Sequence, residues 1–403
     1  MTHNHASLSE FGLNEYGLLD RRSLLKVVAA GTAAATLGPE LLSPTAAEAT
    51  PWNERLGTLK IGYLPITDSS PLLVAHANGY FEKNKVKVAQ PTLFRSWPSI
   101  AEAFAAKQVD VVHLLMPLAL QLRFEAKQDV RVISWNHTDG SAVTVAKDIN
   151  SVADLAGKTI AVPFWYSIHN VILQQLLRKN GLKVTLAGEP SAANKTVKLV
   201  VLPPSEMPPA LAAKQIAGYV VAEPFNALAE VNGIGKILRF TGDVWRDHAC
   251  CVTVVRGDLV RSNPLAAQAI VDSIAQAQLW LTKNRANASD VLKNYLPQAP
   301  AAITKALNSY AQNEYPTAIQ NPAWLSERIS FQPYPFASYT TELIKQLRLT
   351  RVDDDNQWLQ TINLKTAHNE FVASGLAERA MNKLGGRRQF GLTSLTRRET
   401  IRP

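Results

Sequence analysis

Cysteine is nearly absent from this chain of 403 residues, which contains only Cys250 and Cys251, adjacent in the sequence. The Cα atoms of neighbouring residues lie about 3.8 Å apart, whereas a disulfide normally needs at least about 4.4 Å. We therefore expect two small residues of a strand whose side chains point to opposite faces, with a strained vicinal disulfide as the alternative. The histidines, aspartates and glutamates show no metal-ligand spacing, so the sequence predicts no metal, no cofactor and no catalytic residue.

The sequence also lacks an uncharged apolar run of the roughly 20 residues that a membrane span needs. An Ala-rich run at 27–42, which contains a single charge, follows the twin-arginine pattern D-R-R-S-L-L-K at 20–26 and ends near the A-E-A of 47–49. A charged region, a short apolar core and a small-residue exit make up an export signal, and the paired arginines indicate the twin-arginine route. We expect residues 1–49 to be a signal peptide and the protein to be periplasmic, and a peripheral position at the inner membrane stays open. A retained anchor and a cytosolic amphipathic helix are the alternatives.

Charge is moderate, at 19% of residues against 46% hydrophobic, which is typical of a globular protein. The formal net charge is +9, but no dense basic run with interleaved aromatics precedes the last residues, so we expect no nucleic-acid partner. Several basic residues are concentrated in 381–403. With Gly385 and Gly386 among them, this segment is predicted to be a flexible basic tail, with contact to a membrane surface as the alternative.

Short β-branched runs alternate with helical stretches from Leu59 onward, and this pattern restarts at Ser151. Such alternation indicates an α/β fold with largely parallel sheets. We expect two lobes joined by a two-crossing hinge, with crossings near 142–146 and 250–255. The predicted first lobe comprises 50–143 and 252–380, including helices after Pro264, and the second comprises 144–251. Ligands of open α/β sheets bind at the carboxyl ends of the strands, so the cleft between the lobes is the predicted site.

Five segments carry a resemblance to a known family. The run L-K-I-G-Y-L-P-I-T-D-S-S-P-L at 59–72 is similar to the opening strand and loop of the nitrate, bicarbonate and sulfonate receptors of ABC importers. The other segments are D-L-A-G-K-T-I-A-V-P at 154–163, S-I-H-N at 167–170, V-L-P-P-S-E-M at 201–207 and A-E-P-F-N at 222–226. The resemblance covers about residues 59 to 290. It implies a type II periplasmic-binding-protein fold and a monomeric, non-catalytic receptor that passes a small solute to permease and ATPase subunits.

The resemblance also implies a ligand site built from loop ends. The residues at the matching positions are Thr67, Asp68, Ser69, Trp97, His113, His137, Tyr166, Ser167, His169 and Glu223. The helix that begins near Ile168 would offer unpaired N–H groups suited to an anion.

Structural roles for the same residues stay open. Asp68 or Ser69 would cap a helix that begins at Pro71, since proline is favoured in the first helical turn. Trp97 and His113 would belong to the core. Glu223, at the end of an apolar strand, needs a partner if it is buried, and that partner would be a ligand, a metal or a neighbouring loop.

One segment departs from the family. Where the nitrate and bicarbonate receptors carry His-Pro-Glu-Lys, this chain has H-A-C-C at 248–251, so a cysteine replaces the lysine that pairs with the anion. The aromatic run F-W-Y at 164–166 is also unusual. Both changes favour a larger, less charged or aromatic-bearing ligand over nitrate or bicarbonate, and within the family we expect a small anionic or sulfonate-like organic solute. The alternatives to transport are an enzyme on the same fold, similar to a thiamine-precursor or pyrimidine synthase, and a sensory ligand-binding module.

Overall fold

The computed structural model describes residues 52–308, 310, 313–322, 324 and 327–403. The predicted signal peptide lies outside the described residues. Within them, every helix is too short or too polar to cross a bilayer.

Five strands form the first sheet, in the order β2-β1-β3-β12-β4. Their bounds are β1 (Ile61–Tyr63), β2 (Thr92–Leu93), β3 (Val111–Leu115), β4 (Val130–Trp135) and β12 (Cys251–Arg256). Strands β1, β2 and β3 run parallel, whereas β12 is antiparallel to both β3 and β4. The register places Thr253 opposite His113 on one side and Ser134 on the other.

Six strands form the second sheet, in the order β11-β6-β10-β7-β9-β8. Their bounds are β6 (Ser141–Val145), β7 (Thr159–Val162), β8 (Lys183–Thr185), β9 (Thr196–Val201), β10 (Gly218–Ala222) and β11 (Lys236–Phe240). Strand β6 is antiparallel to its two neighbours, and the other pairs are parallel. A small ribbon of β5 (Thr138–Asp139) and β13 (Ile329–Ser330) completes the strands of the described residues.

Helices surround both sheets. The α-helices span Trp52–Leu56, Ser70–Ala77, Tyr80–Lys83, Trp97–Ala105, Met116–Leu120, Ile168–Lys179, Met207–Ala212, Phe225–Val231, Thr241–Val244, Gly257–Ser262, Pro264–Lys283, Ala288–Leu292, Pro300–Leu307, Ala337–Arg348, Ala367–Phe371 and Ser374–Lys383. Single 3-10 turns span Thr67–Ser69, Val152–Leu155, Pro204–Glu206, Arg285–Asn287, Gln357–Thr361 and Arg387–Phe390, and a π-helical turn spans Gln121–Glu125.

Central strands are buried on both faces, which explains their continuous apolar sequence. Every residue of β3 and of β10 is buried, as expected for strands covered by helices on both sides. Two helices that face the centre of the molecule begin at serine caps. Ser96 accepts a hydrogen bond from Ser99 N, and Ser167 accepts one from Asn170 N, so each serine satisfies an otherwise unpaired donor of the first turn.

The chain passes between the sheets slightly earlier than predicted. Strand β6 belongs entirely to the second sheet, so the first crossing lies at 136–140 and not at 142–146, and the first lobe ends before 143. Two consecutive residues with positive φ, Asp139 at 60° and Gly140 at 79°, lie at this crossing directly before β6. The return crossing runs from 241 to 250, because β12 pairs with the first sheet along its whole length.

The C-terminal helices do not all pack on the first lobe. Helix Ser374–Lys383 lies against Pro264–Lys283 as expected. Helix Ala337–Arg348 instead reaches the second lobe, where Gln175 Nε2 donates to Gln346 Oε1 at 2.9 Å. Helix Pro300–Leu307 likewise packs on Phe225–Val231 of the second lobe. The assignment of 252–380 to one lobe is therefore corrected, since this segment contacts both.

Residues 381–403 are held against the body and are not a flexible tail. Phe390 is buried, Ile401 pairs with Trp245, and Trp245 Nε1 donates to Glu399 Oε2 at 2.9 Å. Several of the basic side chains also have partners. The Arg397 guanidinium, for example, lies 2.9 Å from Glu399 and 4.3 Å from the ring centroid of Phe336. The composition of the segment did not reveal these specific partners.

Candidate functional site

A compact group of polar side chains lies where both crossings meet the first sheet. We call it the buried cluster: Asp68, His137, Cys250 and Cys251. Asp68 sits in the turn directly after β1, His137 lies just beyond β4, and the two cysteines lie at the start of β12. All four side chains are fully buried, and one potential metal-ligand atom from each lies within 4.8 Å of the others.

Two close pairs define the geometry of the buried cluster. His137 Nε2 lies 2.9 Å from Asp68 Oδ2, and Cys250 Sγ lies 3.6 Å from Cys251 Sγ. Both cysteines are free thiols. The expectation that they point to opposite faces is wrong, because Cys250 precedes β12 and the alternation of side chains holds only within a strand.

Three further histidines surround the buried cluster. His169 Nε2 lies 3.7 Å from Cys250 Sγ and 2.9 Å from Ser141 Oγ, so the second lobe also reaches the site. His248 Nε2 lies 2.9 Å from Thr241 Oγ1. His113, on β3, packs against Trp97 with ring centroids 5.5 Å apart.

Several buried polar atoms at this site lack a hydrogen-bond partner among the described residues. They include Ser70 Oγ, Trp97 Nε1, both ring nitrogens of His113, His169 Nδ1 and His248 Nδ1. A buried polar atom without a partner costs about 1–3 kcal/mol, so a concentration of such atoms indicates a place where a ligand binds.

Burial and mutual charge set the protonation of the site. Burial raises the pKa of Asp68 to about 7, although His137 acts in the opposite direction. Burial alone would lower the pKa of His137, but the charge of Asp68 and hydrogen bonds raise it to about 10. Burial lowers the pKa of His113 to about 3 and that of His248 to about 3. These two imidazoles are therefore neutral at pH 7 and keep one nitrogen lone pair each.

The two thiols are not equivalent. Burial raises the pKa of Cys250, but a hydrogen bond with Cys251 and the nearby His169 outweigh it and hold the pKa well below its usual range. Burial and the neighbouring Cys250 raise the pKa of Cys251. The sulfur of Cys250 therefore favours the thiolate, which is the form that binds metals and acts as a nucleophile.

Other residues predicted for the site have structural partners. Thr67 donates from N and Oγ1 to Glu223 O, at 2.8 and 3.1 Å. Ser69 Oγ donates to Ile66 O at 2.7 Å. Helix Ser70–Ala77 has no side-chain cap, so neither Asp68 nor Ser69 caps it.

In the second lobe, too, some of the predicted site residues are hydrogen-bonded to other parts of the protein. Tyr166 Oη accepts a hydrogen bond from Trp358 Nε1 at 3.1 Å, and Ser167 Oγ donates to Phe164 O at 2.7 Å. The Glu223 carboxylate contacts Arg328 Nη1 at 2.6 Å and accepts from Ala227 N at 2.9 Å. The structure therefore groups Asp68, Trp97, His113, His137 and His169 at one place and gives the remaining predicted residues protein partners.

Sequence reasoning missed Cys250, Cys251 and His248 as site residues. The signal was present in H-A-C-C at 248–251, the segment that departs from the family pattern. It was interpreted as the loss of a lysine. The gain of two sulfur ligands beside a histidine was not considered.

Two facing α/β sheets, two chain crossings and a polar site between them define a two-lobed periplasmic-binding-protein fold of type II. The chain belongs to the NMT1-like family, whose model matches residues 53–295, more than half of its length. This match confirms the resemblance that the sequence predicted.

Curated relatives and solved structures agree with this assignment. The nitrate/nitrite binding protein NrtA of Nostoc sp. is 27% identical over 245 residues, which cover 56% of this chain and 54% of that protein. The chain thus spans about half the length of the curated relatives it matches first. The periplasmic nitrate-binding protein NrtA of Synechocystis shares the fold with a TM-score of 0.70 and 19% identity, covering 85% of this chain and 93% of that one. The ligand-binding component of an ABC-type import system from Staphylococcus aureus, solved with zinc bound, has a TM-score of 0.64 and 24% identity. The match covers 80% of this chain and 98% of that one.

Proposed function

We propose that this protein is the extracytoplasmic solute-binding receptor of an ABC importer and that it captures its solute by hinge closure. One observation carries the proposal: the loops after β1 and β4, the start of β12 and a helix of the second lobe converge on a fully buried polar site. Closure of two lobes around a ligand is the working motion of periplasmic binding proteins. The family and the names of its relatives support the same role.

The proposal includes export and partners. The twin-arginine pattern at 20–26 supports delivery to the periplasm, where permease and ATPase subunits would receive the solute from a monomeric receptor. The proposed lobes are the first sheet and the second sheet with the helices that cover them, and the chain passes between them at 136–140 and 241–250.

The solute class predicted from the sequence is an anionic or sulfonate-like organic molecule. The indole N–H of Trp97 and the imidazole of His113 are unpaired donors that suit an oxyanion. Asp68 and the two thiols, in contrast, offer acceptors or negative charge, which an oxyanion does not use. The site thus combines features that favour an anion with features that favour a cation.

Ligand titration tests the receptor role directly. The mature chain, purified from residue 50 onward, is titrated with nitrate, bicarbonate, taurine and alkanesulfonates, and small-angle scattering follows compaction. A true solute should raise the melting temperature and reduce the radius of gyration. Trp97→Phe should weaken binding of an oxyanion by roughly tenfold to hundredfold, whereas Trp280→Phe, in the helix Pro264–Lys283, should bind normally. Equal affinities of the two variants would refute the role of Trp97.

An enzyme on the same fold is the second candidate, and one observation favours it. Cys250 Sγ lies 3.7 Å from His169 Nε2, and its pKa is held below the usual range by Cys251 and His169 against the effect of burial. A thiol beside a base is the arrangement of an activated nucleophile. Rapid, stoichiometric alkylation of Cys250 by iodoacetamide, lost in His169→Gln, would support this candidate. Alkylation that proceeds only after unfolding would exclude it.

A further inference from the structure

We propose that the buried cluster binds a thiophilic metal ion of d10 configuration, and that Zn²⁺ is the preferred ion. The inference names the ligand class of the proposed receptor site and rests on the proposed function for its role in transport. The metal-binding step itself depends only on the geometry of the four side chains.

The donor set is that of a transition metal with affinity for sulfur. Two thiolates, one imidazole and one carboxylate are the ligand types found at zinc sites. Thiolates select Zn²⁺ and Cu⁺ over Mg²⁺ and Ca²⁺, which prefer oxygen ligands throughout. The Asp68 carboxylate is a hard oxygen ligand, which suits Zn²⁺ better than Cu⁺.

Two of the six distances between potential ligand atoms are close to the edges of a tetrahedral site. For metal–sulfur bonds of about 2.3 Å a tetrahedron has a sulfur–sulfur edge of about 3.8 Å, and for nitrogen or oxygen ligands at about 2.0 Å the edge is about 3.3 Å. The observed edges are 3.6 Å between the sulfurs of Cys250 and Cys251 and 2.9 Å between His137 Nε2 and Asp68 Oδ2. Each pair needs to change by only a few tenths of an ångström, and the two pairs, whose atoms all lie within 4.8 Å of one another, would draw together around one ion.

The environment is that of a built site and not of a chance surface group. The four side chains are fully buried, and they come from three distant parts of the chain, 68, 137 and 250–251. The backbone also contributes, because Tyr339 Oη donates a hydrogen bond to Ala249 O and fixes the peptide that precedes the two cysteines. His137 lies directly before β5, whose pairing with β13 anchors it.

A neighbouring histidine would support one ligand from outside the buried cluster. His169 contacts Cys250 Sγ at 3.7 Å while Ser141 Oγ holds its Nε2 at 2.9 Å. Groups that orient ligands in this way typically change metal affinity by about 10–100-fold when removed. When the ion enters, each coordinating thiol becomes a thiolate, and its proton is released to solvent.

The first experiment measures metal binding by the full mature chain, reduced with a non-thiol reductant. Zn²⁺ affinity is obtained by competition with a chromophoric chelator, and stoichiometry by elemental analysis after gel filtration. Co²⁺ serves as a spectroscopic probe, since two thiolates in a tetrahedral site give a near-ultraviolet charge-transfer band and strong visible bands. We expect one ion per chain. Failure of the folded, reduced protein to bind either Zn²⁺ or Cu⁺ stoichiometrically would overturn the proposal, and binding of Cu⁺ alone would overturn the choice of Zn²⁺.

Variants then assign the ligands. Cys250→Ser, Cys251→Ser and the isosteric Asp68→Asn should each weaken Zn²⁺ binding by at least about a hundredfold, the upper end of what loss of an orienting group causes. The matched control is His368→Gln, which changes a histidine bonded to Thr340 and outside the buried cluster. Circular dichroism confirms folding of each variant. Wild-type affinity in both folded cysteine variants would refute sulfur ligation.

The metal site and the receptor role fail separately. If the protein binds one Zn²⁺ but neither compacts with it nor supports uptake through an importer, the metal site stands and the receptor role is wrong. If it compacts with an organic anion and binds no metal, the receptor role stands and the metal site is wrong.

Discussion

The ion pair between Arg328 and Glu223 ties the C-terminal segment to the second lobe beside the site. Both side chains are about 1% exposed, with Arg328 Nη1 2.6 Å from Glu223 Oε1. Arg328 Nη2 also bonds Glu230 and Tyr315, and the guanidinium lies 5.3 Å from the ring centroid of Phe240. Removing one partner of such a pair leaves a buried charge unpaired and typically costs about 3–5 kcal/mol.

Arg328→Met isolates this effect. Methionine keeps an unbranched apolar side chain against Phe240, so packing is largely retained while the charge is lost. Glu223 keeps the hydrogen bond from Ala227 N at 2.9 Å, and we therefore expect the lower part of the range, about 3 kcal/mol of unfolding free energy. The double variant Glu223→Gln with Arg328→Met should recover at least half of that loss, because the fully buried carboxylate is then neutral. Glu230, the other partner of Arg328, still has Tyr315 Oη at 2.7 Å and Lys305 Nζ at 3.9 Å.

Urea denaturation followed by tryptophan fluorescence measures these differences. The control is Lys293→Met, which breaks an exposed pair with Asp290 whose side chains are 51% and 74% exposed and should change stability by less than about 1 kcal/mol. A loss below about 1 kcal/mol in Arg328→Met would refute the buried pair. A double variant as unstable as the single one would refute the explanation by an unpaired charge.

Three further predictions concern acid stability, the C-terminus and export. Burial lowers the pKa of His368 from 6.5 to about 4. As pH falls, the His368 imidazole is therefore protonated in the unfolded chain before it is protonated in the folded chain. The unfolding free energy should fall as pH drops from 6.5 towards 4. His368→Gln should flatten that part of the urea-midpoint curve, and an unchanged slope would contradict the assignment. Truncation before Arg397 removes Glu399 and leaves the buried Trp245 N–H without its partner. Stability should fall by about 1–3 kcal/mol in thermal denaturation, and unchanged stability would mean that this segment is not attached in solution. Replacing Arg21 and Arg22 with lysine should retain the precursor in the cytoplasm, as fractionation would show, because the twin-arginine route recognises the pair. Normal periplasmic yield would exclude that route.

Local periodicity made much of the fold predictable. The helix expected from Ser167 to Asn180 is observed at Ile168–Lys179, because its apolar spacing and its serine cap are both local signals. The first crossing was misplaced because β6 is as apolar as a strand of either sheet. Its place in the second sheet comes from pairing with β10 and β11, which are distant in the sequence, and the positive φ angles of Asp139 and Gly140 before it are a matter of backbone conformation.

The candidate site was only partly predictable, because it depends on long-range packing. Asp68, His137 and Cys251 are separated by more than 60 and 110 residues in the sequence, so no spacing rule connects them as potential ligands of one ion. Family resemblance supplied the first two as contacts of a solute. The antiparallel insertion of β12 between β3 and β4 brings the cysteines to them, and no local pattern predicts that strand order.

The same packing that forms the site also opposes its opening. The buried cluster is fully enclosed, so any ligand must enter while the lobes are apart. Separation of the lobes breaks the two hydrogen bonds from Thr67 to Glu223 O, at 2.8 and 3.1 Å, and each such bond contributes about 1 kcal/mol. The contact of Gln175 with Gln346 adds to this resistance through the C-terminal segment. A ligand can contact both Asp68 of the first lobe and the crossing residues only when the lobes are closed. Its contacts would then add to the hydrogen bonds that already join the lobes. Its binding energy would therefore shift the protein towards the closed form, as the proposed capture by hinge closure requires.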